Sequence, residues 1–184
     1  MSSSPSILRQ LADLVIRALS SRTSRTPATE PGRSGASGQA EPGAGRSQGS
    51  GTVQVDPDRV PGLQVDYSPS KDGMPDSGEV IWTWVPYQEN DGRGKDRPVL
   101  VIGRQSADRV YVVRMTSKPH EHDRDYLSIG RGDWDSQGRE SWVDIEQLYS
   151  VHARGMRREA AVLDRGRYDR VSEALVHRYG WAVR

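Results

Sequence analysis

The chain reads as a mainly β protein of the α+β kind: a small, curled antiparallel sheet followed by one C-terminal helix. Three observations predict this. Short apolar runs recur between residues 80 and 148, divided by Gly-, Asp- and charge-rich turns. The first run alternates with period two, Val80, Trp82 and Trp84 on one face and Ile81, Thr83 and Val85 on the other. Near the C terminus an apolar stripe at helical spacing lies between Asp164, a capping residue, and Gly180, a terminating one.

The elements follow in order. Residues 1–19 hold an amphipathic helix: Ile7, Leu8, Leu11, Leu14, Val15 and Leu19 share a face, Ser4 caps it and Pro5 suits its first turn. A helix of this length is marginal alone, so it docks on its own domain, a partner or a membrane surface. Residues 20–60 are dominated by Gly, Ser, Pro and Ala with scattered arginines, which predicts a disordered linker. Around residues 61–77 prolines break up the apolar positions, as expected of an extended lead-in along the domain edge. The compact domain is assigned to 78–184. Within it the strands are the tryptophan-rich run from residue 79, PVLVIG (98–103), VYVVRM (110–115), a short run at 126–129, and WVDIEQL (142–148). Residues 155–163 are ambiguous, and 164–179 form the helix, with Tyr168, Val171, Ala174 and Leu175 inward.

Composition narrows the function. Apolar residues make up 34% of the chain, with the deficit concentrated in the linker. The net charge of +1 rules out a global basic field, so any nucleic-acid contact must be local. There is no cysteine, which removes disulfides, thiolate nucleophiles and Cys-ligated metals and fits a reducing compartment. No run reaches the roughly 20 apolar residues of a membrane span. Asp13 and Arg17 interrupt the N-terminal apolar run, so it is a poor signal peptide. The expectation is a soluble, cytoplasmic protein.

Four patterns carry chemistry. Arg93-Gly94-Lys95-Asp96-Arg97-Pro98 concentrates cations where glycine lets a polyanion approach, and Pro98 is expected to open a strand with Arg97 at its mouth. An arginine fork matches two phosphate oxygens at any relevant pH, although a solvated basic loop has the same composition. Thr116-Ser117-Lys118 ends an apolar strand and offers hydroxyls and a charge to a phosphate, or simply a turn. His120-Glu121-His122-Asp123 reads as a solvated loop pair rather than a metal site, with His120 a candidate proton donor. Asp144 and Glu146 alternate on the WVDIEQL strand, as either an acid–base pair or a solvated face. With no Phe, the core draws on Trp and Tyr. Trp134, placed in a loop, is the best candidate to stack an RNA base.

The runs GEVIWTWVPYQENDGRGKDRPVLVIGR (78–104), MTSK (115–118) and SWVDIEQL (141–148) resemble the MazF/PemK family of type II toxin–antitoxin endoribonucleases. The resemblance covers 78–181 and is nearest the actinobacterial branch. It implies an SH3-like barrel with a C-terminal helix, a homodimer and inhibition by an antitoxin's C-terminal segment. It further implies cleavage of single-stranded RNA without metal or other cofactor. Arg97 then matches the family's catalytic arginine and Thr116 its active-site threonine. Residues 88–96 match the mobile loop over the substrate. Asp91-Gly92 stands where many members carry Glu-Gln, and Asp144-x-Glu146 where some relatives carry Arg-x-Asp. The acid and base candidates are accordingly Asp91, Glu89 and His120. Arg93, Lys95, Ser117, Lys118 and Trp134 are the expected RNA contacts. A non-catalytic RNA- or peptide-binding module on the same fold is the alternative.

Overall fold

The computed structural model describes residues 51–70, 74–87 and 93–184. The predicted N-terminal helix, residues 20–50 of the predicted linker, and Glu89 and Asp91 lie outside the described residues.

Nine strands are present among them: β1 (Val53–Val55), β2 (Gln64–Val65), β3 (Glu79–Pro86), β4 (Gly94–Arg104), β5 (Arg109–Thr116), β6 (Tyr126–Gly130), β7 (Ser141–His152), β8 (Met156–Val162) and β9 (Ala182–Val183). One helix, α1 (Arg165–Tyr179), follows β8. The fold is thus mainly β with a C-terminal helix, as the spacing of apolar runs predicts. The main sheet is antiparallel and runs β1–β7–β5–β4–β3–β8, with β6 also paired to β7. β2 and β9 form a separate parallel pair that joins the lead-in to the C-terminal residues.

β1 falls inside the stretch whose composition reads as linker. Three residues of Val-Gln-Val are too few for a periodic signal, and Pro57 follows at once. What holds the strand is its ladder to β7, in which Val53 faces Ser150 and Val55 faces Leu148. Asp56 ends β1 by capping a 3-10 turn, its carboxylate accepting from the Asp58 N–H at 3.1 Å. The sheet then curls. Thr52 shares a hydrogen bond with Thr83 of β3 (hydroxyl oxygens 3.0 Å apart), bringing the β1 end of the path near its β3–β8 end. No ladder joins β1 to β8 among the described residues.

Period-two alternation makes both faces of the central strands apolar. One face packs Val80, Leu100, Val113 and Met115 against Tyr168, Val171 and Leu175 of α1. The other gathers Ile81, Val99, Val101, Val112, Tyr149 and Val151. α1 begins at Asp164, which accepts from the Arg167 N–H at 3.1 Å, and ends at Gly180, whose φ of 68° suits glycine. Its tyrosines reach the sheet: the Tyr168 hydroxyl lies 3.3 Å from the Ile102 carbonyl, and that of Tyr179 3.0 Å from the Ile145 carbonyl. No helix among the described residues is long and apolar enough to cross a membrane.

Leu175 is only 1% exposed between helix and sheet, so Leu175→Ala should cost about 2–5 kcal/mol in urea unfolding. Asp164→Ala, which removes only a cap, should cost about 1 kcal/mol. Equal losses for the two would contradict the docking of α1 described here.

Candidate functional site

β4 enters the sheet at Gly94, earlier than the predicted start at Pro98. Gly94, Lys95 and Asp96 pair with Pro86, Val85 and Trp84 of β3, so this basic segment is a strand rather than a free loop. Gly94 makes that possible. A Cβ there would lie 2.4 Å from the Trp84 ring, so only glycine lets the indole pack on the backbone.

Pro98 therefore sits inside the strand, and its missing N–H has a local effect. The β4–β5 ladder begins at Val99 facing Arg114. Two residues further along the same register, past Pro98, Arg97 comes opposite Thr116 with no ladder pair between them. Both side chains line one groove of about 300 Å³. Lys95, Ser117 and Lys118 also line it, together with Pro98 and Met115. The Thr116 hydroxyl oxygen accepts the Lys118 N–H at 3.1 Å. That fixes the oxygen and leaves its O–H to donate into the groove.

The rest of the lining comes from β3 and from the connection between β6 and β7. Trp82, half-buried, contributes from β3. The β6–β7 connection supplies Trp134, Asp135 and Arg139, and β7 supplies Ser141. A bulge in β7 brings them there. Val113 faces Leu148, so an unshifted ladder would set Ile145 opposite Thr116, yet Thr116 faces Trp142. Residues 144–147 absorb the difference, and every backbone group that shift exposes at Ile145 and Glu146 is matched. The Ile145 N–H donates to the Asp125 carbonyl (2.8 Å), and those of Glu146 and Gln147 donate to the Asp144 carboxylate (3.0 and 3.2 Å). The Tyr179 hydroxyl lies against both the Ile145 and Glu146 carbonyls.

Asp144 is itself fixed by Arg114, Nη2 to Oδ2 2.6 Å, and Arg114 also donates to the Tyr126 hydroxyl (2.9 Å). Burial opposes the Arg114 charge, but the Asp144 carboxylate together with Tyr149 and Tyr126 sets the guanidinium pKa above its ordinary value. Burial likewise raises the Tyr126 and Tyr149 hydroxyls, so both stay protonated at neutral pH. Asp135 is held below the usual carboxylate range despite the opposing effect of burial, by the Gln137 N–H and by Arg139.

Several predicted residues stand elsewhere. Trp134 is not a free stacking platform: it is 5% exposed, and its indole N–H donates to the Ser141 hydroxyl (3.0 Å). The Gly-rich loop hid this, because Gly132 leaves room for the ring to fold back over the chain. Asp144 and Glu146 do not share a face. The bulge breaks the alternation, burying Asp144 at 1% exposure and leaving Glu146 in solvent. His120 stacks on Tyr126 (centroids 3.6 Å apart), faces Asp123 at 3.5 Å, and does not line the groove. Arg93 is exposed just before β4 and does not line it either. Sequence reasoning missed Asp135 and Arg139, whose only signal was an acid and a base four residues apart in a Gly-rich loop.

A larger cavity, about 630 Å³, lies beside β2 and touches neither Arg97 nor Thr116. Its Arg59 and Arg104 are already paired, with Asp56 (3.3 Å) and Asp76 (2.7 Å), and Arg184 also lines it. The groove at Arg97 has the better claim to a phosphate because it gathers the Thr116 and Ser117 hydroxyls with Lys95, Arg97 and Lys118.

Fold and groove define a small β-sheet protein with a cationic cleft where the β4–β5 ladder gives out. Residues 76–178 match the family model described as PemK-like, MazF-like toxin of type II toxin-antitoxin system, and the chain belongs to that family. No curated protein matches it. Among solved structures, a chain of the MazE-MazF complex (Form-II) from Deinococcus radiodurans is 18% identical, over 58% of this chain and 96% of that one, with a TM-score of 0.45. An endoribonuclease in complex with its cognate antitoxin from Mycobacterial species is 14% identical, over 58% and 96%, also at 0.45. Mycobacterium tuberculosis toxin MazF-mt6 is 15% identical, over 55% and 97%, at 0.39.

Asp144→Ala leaves a buried guanidinium without its carboxylate and uncaps the bulge. It should lower stability by about 3–5 kcal/mol in chemical denaturation. Glu146→Ala, two residues on but in solvent, should stay within about 0.5 kcal/mol.

Proposed function

We propose that the chain is the toxin of a type II toxin–antitoxin module and acts as an endoribonuclease on single-stranded RNA in the cytoplasm. The observation that carries the mechanism is that Arg97 and Thr116 line one groove from facing positions on neighbouring strands. Family membership supports the toxin class.

The 2′-hydroxyl oxygen of one nucleotide attacks the adjacent phosphorus and the bond to the 5′ oxygen breaks. The products are a 2′,3′-cyclic phosphate and a 5′-hydroxyl. Negative charge gathers on the non-bridging oxygens in the transition state. The Arg97 fork neutralises it and the Thr116 O–H donates to it, both held in place before substrate arrives. This positive charge is the protein's own, so the reaction needs no metal. Lys95, Ser117, Lys118 and Arg93 hold flanking phosphates.

Arginine is too weak an acid to leave a useful free base, so the 2′-hydroxyl proton passes to another group. The groove carboxylates Asp96 and Asp135 are engaged, with Arg157 (3.5 Å) and Arg139 (2.8 Å). Glu89 and Asp91, on the segment leading into β4, take the role in this reading, and water supplies the proton that the departing 5′ oxygen gains. His120 does not, since it stands off the groove beside Tyr126. The partners are a cognate antitoxin, whose C-terminal segment blocks the site, and a second copy of the chain as a homodimer.

Arg97→Ala should slow cleavage of single-stranded RNA at least ~100-fold and abolish growth arrest on induction, with Thr116→Ala intermediate. Cleavage by the unmodified chain should persist in EDTA. Growth arrest that survives Arg97→Ala would instead assign the groove to a binding module that cuts nothing.

A further inference from the structure

The β6–β7 connection, residues 131–140, is longer than the two to five residues usual for a hairpin, and it is built rather than loose. Trp134 buries its ring and bonds Ser141 (3.0 Å). The Arg167 guanidinium of α1 donates to the Arg131 carbonyl (2.7 Å), and the Gly138 N–H to the Asp135 carbonyl (2.8 Å). Glu140 accepts from the Ser128 hydroxyl of β6 at 3.0 Å. The segment is therefore fastened at both ends and in the middle.

What it presents to the groove is Arg139 on Asp135. One Asp135 oxygen accepts from the Gln137 N–H (2.8 Å) and the other from Arg139 Nε (2.8 Å). The Asp135 side chain is 9% exposed, that of Arg139 54%. Arg139 makes no other hydrogen bond or ion pair among the described residues. Its terminal Nη donors are thus open, while a carboxylate offsets its charge. Such a group is poorly suited to a bare phosphate and well suited to a pair of neutral acceptors.

We propose that Arg139, held by Asp135, reads a guanine base next to the phosphate seated on Arg97 and Thr116. The proposal takes the seated phosphate from the nuclease reading above. Guanine sets two acceptors, O6 and N7, side by side on one edge, and an arginine fork meets both. Adenine puts an N6 donor beside N7 and repels one arm of the fork. Single-stranded RNA leaves this edge open, as a duplex does not. Arg139 lines the same groove, of about 300 Å³, as Arg97 and Thr116, which puts it beside a base next to the seated phosphate. Arg139 is then a specificity-determining residue and Asp135 a positioning one.

The test is fluorescence anisotropy of the full chain with 2′-O-methyl RNA hexamers, which 2′-hydroxyl attack cannot cut. One central position at a time is varied among guanine, adenine, cytosine and uracil. Guanine at one position should bind roughly 5- to 150-fold tighter than adenine. Inosine, which keeps O6 and N7, should match guanine; 7-deazaguanine should fall to the level of adenine. Arg139→Lys and Asp135→Asn should each erase the guanine preference while the melting temperature stays near that of the parent. No guanine preference at any position overturns the proposal, as does a preference that Arg139→Lys leaves intact. Arg139→Ala weakening all hexamers alike, with a salt slope reduced by about one, would make Arg139 a phosphate contact and also overturns it. Separately, sequencing the 5′ ends of RNA treated with the chain tests the nuclease reading. A chain that cuts nothing sinks that reading while the hexamers still decide the guanine question.

Discussion

The ion pair between Arg114 and Asp144 is the constraint on which the working end of the molecule depends. A buried pair of this kind adds little net stability, because desolvation offsets most of the attraction. Its value here is geometric. Asp144 holds Arg114 Nη2 with one oxygen and accepts from two bulge N–H groups with the other. β7 can therefore carry extra residues without leaving backbone polar groups orphaned in the sheet. Those extra residues shift the register, and the shift sets Trp142 and Ser141 beside Thr116. The buried pair thus determines which wall the groove has.

The second wall depends on an absence. Proline lacks the N–H that would extend the β4–β5 ladder, so the strands stay side by side without closing over the groove. Arg97 and Thr116 are left facing across it, on strands and not on loops, as the proposed chemistry of preorganised charge requires.

Much of this was legible in the sequence. Period-two alternation located β3, Asp164 and Gly180 bracketed α1, and Arg97-Pro98 with Thr116-Ser117 pointed to the groove. The failures share a cause. Asp144 looked like half of a surface carboxylate pair because alternation assumes an unbroken strand, and the bulge that breaks it is set by Arg114, thirty residues away in sequence. Trp134 looked exposed because a Gly- and Asp-rich stretch reads as solvent loop. Only the packing of its ring over Gly132 and its bond to Ser141 show otherwise. β1 was too short to carry a period, and its ladder partner is at the far end of the domain. Local pattern finds elements; tertiary contacts decide which side chains those elements hide.

The pairing of β1 with β7 also bears on how the chain assembles. Val53 meets Ser150, so this ladder closes a longer loop than any other pairing in the main sheet, while the β6–β7 and β4–β5 hairpins close over short distances. Loop closure costs entropy before any contact returns it, so short-range hairpins form first and topologies rich in distant pairs fold slowly. On this ground β1 is expected to join the main sheet after the hairpins, and the Thr52–Thr83 bond to form with it.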